Sequence, residues 1–161
     1  MILGLNPVQF TYLHVFLSLV GLGAGIFIIY GLLTSQRLSI LTSLFLVTTA
    51  ATSVTGFLFP FNGFTPGIIL GILSMIVLVL AIVALYVKKL GGPWRGTYVV
   101  TVMLAYYFNF FVLVAQSFAK VPALHSIAPT LASPGFGFSQ AAVLVIFILL
   151  TTRAFKKFHP V

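Results

Sequence analysis

Four stretches of this chain, residues 8–33, 40–59, 67–87 and 97–118, each run for about twenty residues or more with almost no charge. That length matches an α-helix crossing the ~30 Å hydrocarbon layer of a bilayer. A segment in lipid has no water to bond its N–H and C=O groups, so an uninterrupted apolar run of this kind is read as a helix that satisfies its own backbone. The rest of the composition agrees. Of 161 residues, 61% are hydrophobic and 5% charged, with a mean hydropathy of +1.24, whereas a water-soluble domain covers its core with roughly a quarter charged residues. The predicted fold is an all-α integral membrane protein of one multi-pass domain in a cell membrane.

A fifth apolar segment, residues 139–155, is close to the lower limit for spanning and by length alone could be re-entrant. Charge placement decides for crossing. With five spans, Arg37, the group Lys88, Lys89 and Arg95, and the group Arg153, Lys156 and Lys157 fall on one side, which then holds seven of the eight Lys and Arg; only Lys120 falls on the other. Because Lys and Arg concentrate in short cytoplasmic loops, this predicts the N-terminus outside and the C-terminus inside. The same accounting explains the net charge of +8 by orientation, without a nucleic-acid partner. Met1 to Val8 contains no Lys or Arg, unlike the basic start of a secretory signal, so the first run is expected to remain as a span. The short breaks at Pro60, Asn62, Gly63 and Pro66, and at Gly91, Gly92 and Pro93, predict antiparallel neighbours in a compact bundle. Trp94, Tyr98, Tyr86 and Tyr30 fall where interfacial anchors are expected.

The chain has no Asp, Glu or Cys. Paired-carboxylate chemistry, a Ser–His–acid triad and thiolate catalysis therefore lose their agents, and so does the acidic residue on which proton and cation coupling in membranes usually rests. The expected protein is not an enzyme. What remains is polar but uncharged. Gly21 and Gly25 in the first span, and Gly67 and Gly71 followed by Ser74 in the third, have the small-residue spacing that lets helices approach closely. Thr48, Thr52 and Thr55 line one face of the second span. They are either packing hydroxyls bonded to their own helix or a polar pathway. Asn109 and Gln116 share a stripe of the fourth span with Tyr98, Thr101 and Ala105; each amide needs a partner from another helix or from a ligand.

His14 and His125 are the one histidine pair that topology could bring together, and neutral imidazole ligates haem iron. Haem b or a quinone is thus the alternative to a bundle with no cofactor, against the plainer reading of His14 as a hydrogen-bonded interfacial residue. Residues 119–137 form a Pro-rich but apolar loop, expected to fold over the bundle mouth with one helical turn between prolines, as a packed cap or as a lid.

At the stretches from Thr52 to Phe61 (TSVTGFLFPF) and from Asn109 to His125 (NFFVLVAQSFAKVPALH), the chain resembles a group of small multi-spanning bacterial inner-membrane proteins. The resemblance implies the fold and the membrane but no functional residue. In that group an acid often follows the Ala-Pro-Thr segment; here Ala128 to Pro134 has none. Three functional classes follow from these readings. The first is a non-enzymatic bundle acting as accessory subunit, small-molecule binder or permeation element, in contact with lipid and with other membrane subunits or further copies of itself. The second is a haem- or quinone-binding electron-transfer protein, and the third a facilitative transporter of a neutral or anionic solute.

Overall fold

A computed structural model describes residues 1–60, 63 and 65–160; Asn62, one of the predicted loop markers, and Phe61, the end of the first quoted stretch, lie outside them. The described chain forms α1 (Pro7–Thr34), α2 (Ser39–Phe57), α3 (Pro66–Ile82), α4 (Trp94–Lys120), α5 (Pro122–Ile127) and α6 (Pro134–Lys157), with a π-helical segment, Val83–Val87, continuing α3. Five of these helices are long and apolar enough to cross a membrane, counting α3 with its π continuation.

The boundaries follow from local chemistry. Asn6 accepts from the Gln9 backbone N–H (2.9 Å) while its own N–H donates to the Gln9 side chain (3.1 Å), a capping box that satisfies two amides left over at the helix start. Pro7, Pro66, Pro122 and Pro134 occupy first-turn positions, where the missing N–H costs nothing and the fixed φ suits a helix. Ser35 ends α1 in the left-handed region at φ 59°. After the π segment, Lys88 N–H bonds Val83 O (2.8 Å) and Leu90 N–H reaches Ala84 O (2.9 Å). Lys89 and Leu90 then turn the chain at φ 48° and 60°, a conformation that costs each L-residue roughly 1–2 kcal/mol. Leu90 is buried in the core, which helps to hold that turn.

Successive long helices pack as neighbours: α1 on α2, α2 on α3, α3 on α4, and, past the short α5, α4 on α6, with α1 closing against α6. Helix α4 also touches α1 and supplies much of the core, including Val99, Val102, Met103 and Tyr106. Glycines set the closest approaches. A methyl at Gly25 would overlap the Tyr106 ring, and one at Gly71 would come within 2.8 Å of Phe57, so both motifs serve packing inside the bundle. Gly67 faces no other helix within 4 Å, only Thr65 beside it. Ile69, Ile72, Leu73, Ile76 and Val79 of α3 and Val145, Ile148 and Leu149 of α6 are exposed, as lipid-facing side chains should be when lipid is the solvent.

Two contacts gather the basic segments at one end of the bundle. The Arg95 guanidinium donates to the carbonyls of Phe155 and Phe158 (2.8 Å each), and the His159 backbone N–H donates to Ser35 Oγ (2.7 Å). The α1–α2 turn, the start of α4 and the end of α6 therefore meet at what is called the basic end below.

Three expectations are corrected. The last span begins at Pro134 rather than 139 and runs 24 residues to Lys157, because Pro134 opens a helix and Gly135 and Gly137 continue it instead of prolonging the loop. Gly135 is where α6 meets the α5 segment: a methyl there would lie 3.2 Å from Ile127 Cγ2. The loop expected over 119–137 accordingly contracts to α5, between two prolines, and residues 128–133. Tyr98, expected as an interfacial anchor, is only 3% exposed and belongs to the core, while Tyr30 and Tyr86 are exposed. Trp94 is half-buried with Lys88 Nζ 5.4 Å above its ring.

Candidate functional site

Polar side chains inside a helical bundle must find partners, and those of α2 mostly find them on their own helix. Thr48 Oγ1 donates to Leu44 O (2.7 Å), Ser53 Oγ to Thr49 O (3.1 Å) and Thr55 Oγ1 to Ala51 O (2.7 Å). Asn109 crosses from α4 and donates through Nδ2 to Thr49 Oγ1 (3.1 Å). The contact depends on Gly21 of α1: a methyl there would approach Thr48 Oγ1 to 3.2 Å, Thr49 Oγ1 to 3.4 Å and Asn109 Nδ2 to 3.7 Å. Gly21, Thr48, Thr49 and Asn109 thus make a three-helix polar junction. Thr52 Oγ1, one turn along α2, is buried with no partner among the described residues.

Gln116 does not join this junction. It shares the stripe of Asn109 on α4 but is exposed, and no hydrogen bond to it occurs among the described residues, so its expected place inside the bundle is not the observed one. The buried glutamine is Gln140 of α6. Its Nε2 donates to Phe111 O (3.0 Å) while Oε1 is left without a partner among the described residues. Gln140 lies one residue inside the predicted fifth span of 139–155, and no sequence signal singled it out, because its burial depends on the neighbouring turn of α4.

At the end away from the arginines, His14 Nδ1 lies 2.8 Å from Thr55 Oγ1, and its ring meets Phe59 edge-on at 5.3 Å. The hydrogen positions can be assigned by elimination. Thr55 Oγ1 also lies 2.7 Å from Ala51 O and 3.1 Å from Thr52 O, and carbonyl oxygens only accept, so the single hydroxyl proton goes to them. Oγ1 must then accept from His14, which places the ring proton on Nδ1 and leaves the lone pair of the neutral imidazole on Nε2. His125 is exposed on α5, which packs against α4. Among the described residues no hydrogen bond or ring contact joins the two histidines, and no cluster of three or more metal-ligating side chains occurs.

A cavity lies at the basic end, where no sequence motif marked it. It has a volume of about 160 Å³ and is walled by Phe27, Ile28, Gly31 and Leu32 of α1, Leu85 and Tyr86 of the π segment, Tyr98 of α4 and Phe158 after α6. Gln36, Arg37, Leu38, Ser39 and Thr42, from the α1–α2 turn and the start of α2, complete it. A volume of roughly 150 Å³ is enough for a benzene ring, so this partly open pocket has room for a ring or the end of a chain. Its walls are apolar on the α1 side and hydroxyl-bearing on the other, the composition of small-molecule sites in general. The Tyr86 hydroxyl is paired with Ser43 Oγ (3.1 Å). Tyr98 and Thr42 are 3% and 6% exposed, and neither hydroxyl makes a hydrogen bond among the described residues. The earlier signals were Arg37, Tyr86 and Tyr98 taken singly, since the walls come from four separate stretches of sequence.

Compared with known proteins, the chain matches no family model, no curated protein and no solved structure.

Proposed function

We propose that this chain is a non-enzymatic membrane bundle that binds a small molecule at its basic end. The cavity between α1, the start of α2, the π segment and Phe158 carries the reading. π-helical segments recur at functional sites because the extra residue per turn re-aims side chains, and here the segment supplies Leu85 and Tyr86 to the wall. Self-bonded hydroxyls along α2 favour this location over a polar pathway through the middle of the bundle. The positive-inside bias supports the basic end facing the cytoplasm, and the resemblance of the two quoted stretches supports a bacterial inner membrane. The test is photolabelling of the purified full chain in lipid nanodiscs with an apolar aromatic diazirine probe. Label should fall on residues 27–32, 85–86 and 98 and should drop on Leu85→Trp, which narrows the cavity. Label spread evenly over the lipid-facing surfaces of α3 and α6 would sink the reading.

A second reading keeps one specific support. His14 has the arrangement of a ligating histidine, Nδ1–H held by a second group and the Nε2 lone pair available. On this reading His14, with His125 or an external ligand, holds haem b for electron transfer. Absorption spectra of the purified protein, oxidised and dithionite-reduced, decide it: a Soret band that disappears in His14→Ala supports haem, and a featureless spectrum after expression with haem supply rejects it.

A further inference from the structure

Resting on the small-molecule reading above, we propose that the ligand of the basic-end cavity is an anionic amphiphile, an apolar chain or ring ending in a phosphate or carboxylate. The argument begins with charge. Arg37 stands at the cavity, and the chain contains no Asp or Glu side chain that could neutralise it. Arg95, by contrast, is committed to the carbonyls that end α6, and Lys88 sits over Trp94. Among the described residues Arg37 has no hydrogen-bond acceptor, and its planar fork suits a phosphate or carboxylate.

The hydroxyls strengthen this. Tyr98 and Thr42 are more than nine-tenths buried and line the same cavity, and no hydrogen bond of either hydroxyl occurs among the described residues. Two hydroxyl protons can make only one bond between the pair, so at least one donor is left for a ligand. Leu38 ahead of α2 offers no side-chain cap to the first amides of that helix, and an uncapped helix start favours negative charge. Cation, spare hydroxyl donor and helix start therefore converge beside an apolar wall formed by Phe27, Leu32 and Leu85. An oxyanion satisfies the first group and an apolar tail fills the second. The cavity volume of about 160 Å³ is far below that of a whole lipid, so the remaining chain would lie in the bilayer.

The measurement is native mass spectrometry of the full chain released from neutral detergent, titrated with short-chain phosphatidic acid, with diacylglycerol carrying the same acyl chains, and with inorganic phosphate. The expected result is at least tenfold preference for phosphatidic acid over diacylglycerol, no retention of inorganic phosphate, and loss of the preference to within twofold in Arg37→Gln. Lys157→Gln removes an equal charge at the same end and should leave the preference unchanged. If the two charge variants behave alike, binding is diffuse surface attraction and the proposal fails. Inorganic phosphate competing as well as phosphatidic acid would make this a free-anion site and overturn the amphiphile. Leu85→Trp separates the two levels of the argument. Lost binding of both lipids in Leu85→Trp, with an unchanged preference in Arg37→Gln, leaves the cavity standing and rejects the anion. Unchanged binding in Leu85→Trp rejects the cavity itself.

Discussion

The two halves of α4 differ although they belong to one continuous helix. From Gly96 to Tyr106, eight residues are buried; from Tyr107 to Lys120 none is. Composition does not explain this, since the second half carries Phe108, Phe110, Phe111, Val112, Leu113 and Val114. Partners do. Toward the basic end, α3, the π segment, α1 and the chain after α6 surround α4, with Tyr98 against Phe158 (5.8 Å between ring centres) and Tyr106 bonded to Leu22 O (3.0 Å). Toward the other end the contacts divide into pairs. α1 joins α2 through Phe10 on Phe59 and His14 on Thr55, while α4 joins α6 through Phe111 and Phe118 on Phe136. A membrane helix can thus be core for half its length and semi-exposed for the rest, because lipid accepts the apolar side chains that a partner does not cover.

The contrast can be broken most directly by truncating one side chain in each half. Met103→Ala, at a position 1% exposed, should cost about 2–5 kcal/mol of stability, whereas Leu113→Ala should cost at most about half as much because its site is already partly open. Equal losses in a mixed-micelle unfolding series would contradict the division. Next in size is Arg95→Gln, which removes the charged donor from two carbonyls and should cost about 1.5–3 kcal/mol. It should also raise hydrogen exchange at Phe158 and His159 without changing exchange near His14, and a uniform rise over the chain would show that the ends are not independent.

Asn109 stands just past the border between the halves, and Asn109→Ala should cost roughly 0.6–1.7 kcal/mol, the range of interhelical side-chain hydrogen bonds in membranes. A loss above that range would mean that the Gly21–Thr49–Asn109 junction holds the two halves together rather than marking where they part. The smallest effect is expected at Gln116→Leu, within about 0.5 kcal/mol as for exposed substitutions generally. A larger loss for the isolated chain would show that Gln116 has a partner inside the bundle after all.

Much of the architecture was legible because its causes are local. Apolar runs of spanning length, with the placement of Lys and Arg for the fifth, gave the five spans with helix ends close to those observed, except at Pro134, where a proline and glycines that open a helix read as loop. The polar residues show where sequence reasoning stops. Residues 98, 105, 109 and 116 fall on one stripe of α4, and the stripe alone assigns Tyr98 and Gln116 similar surroundings. One lies in the core and the other outside it, since burial depends on which helices accompany α4 at each level. The cavity was illegible for a related reason: it combines residues 27–42, 85–86, 98 and 158, whose meeting depends on the non-local contacts of Arg95 and His159. The hydrogen-bond sense of His14 likewise depends on two carbonyls that a sequence cannot place.

Phe158 has a consequence for the order in which this protein becomes competent. Ribosomes deliver the α1–α2 turn well before the segment after α6, yet both contribute walls to the same cavity. A nascent chain with four helices inserted has Arg37, Tyr98 and Leu85 but lacks Phe158 and the carbonyl at which Arg95 secures it. Closure of the cavity therefore waits for docking of α6, and ligand occupancy would report that α6 has joined the earlier helices.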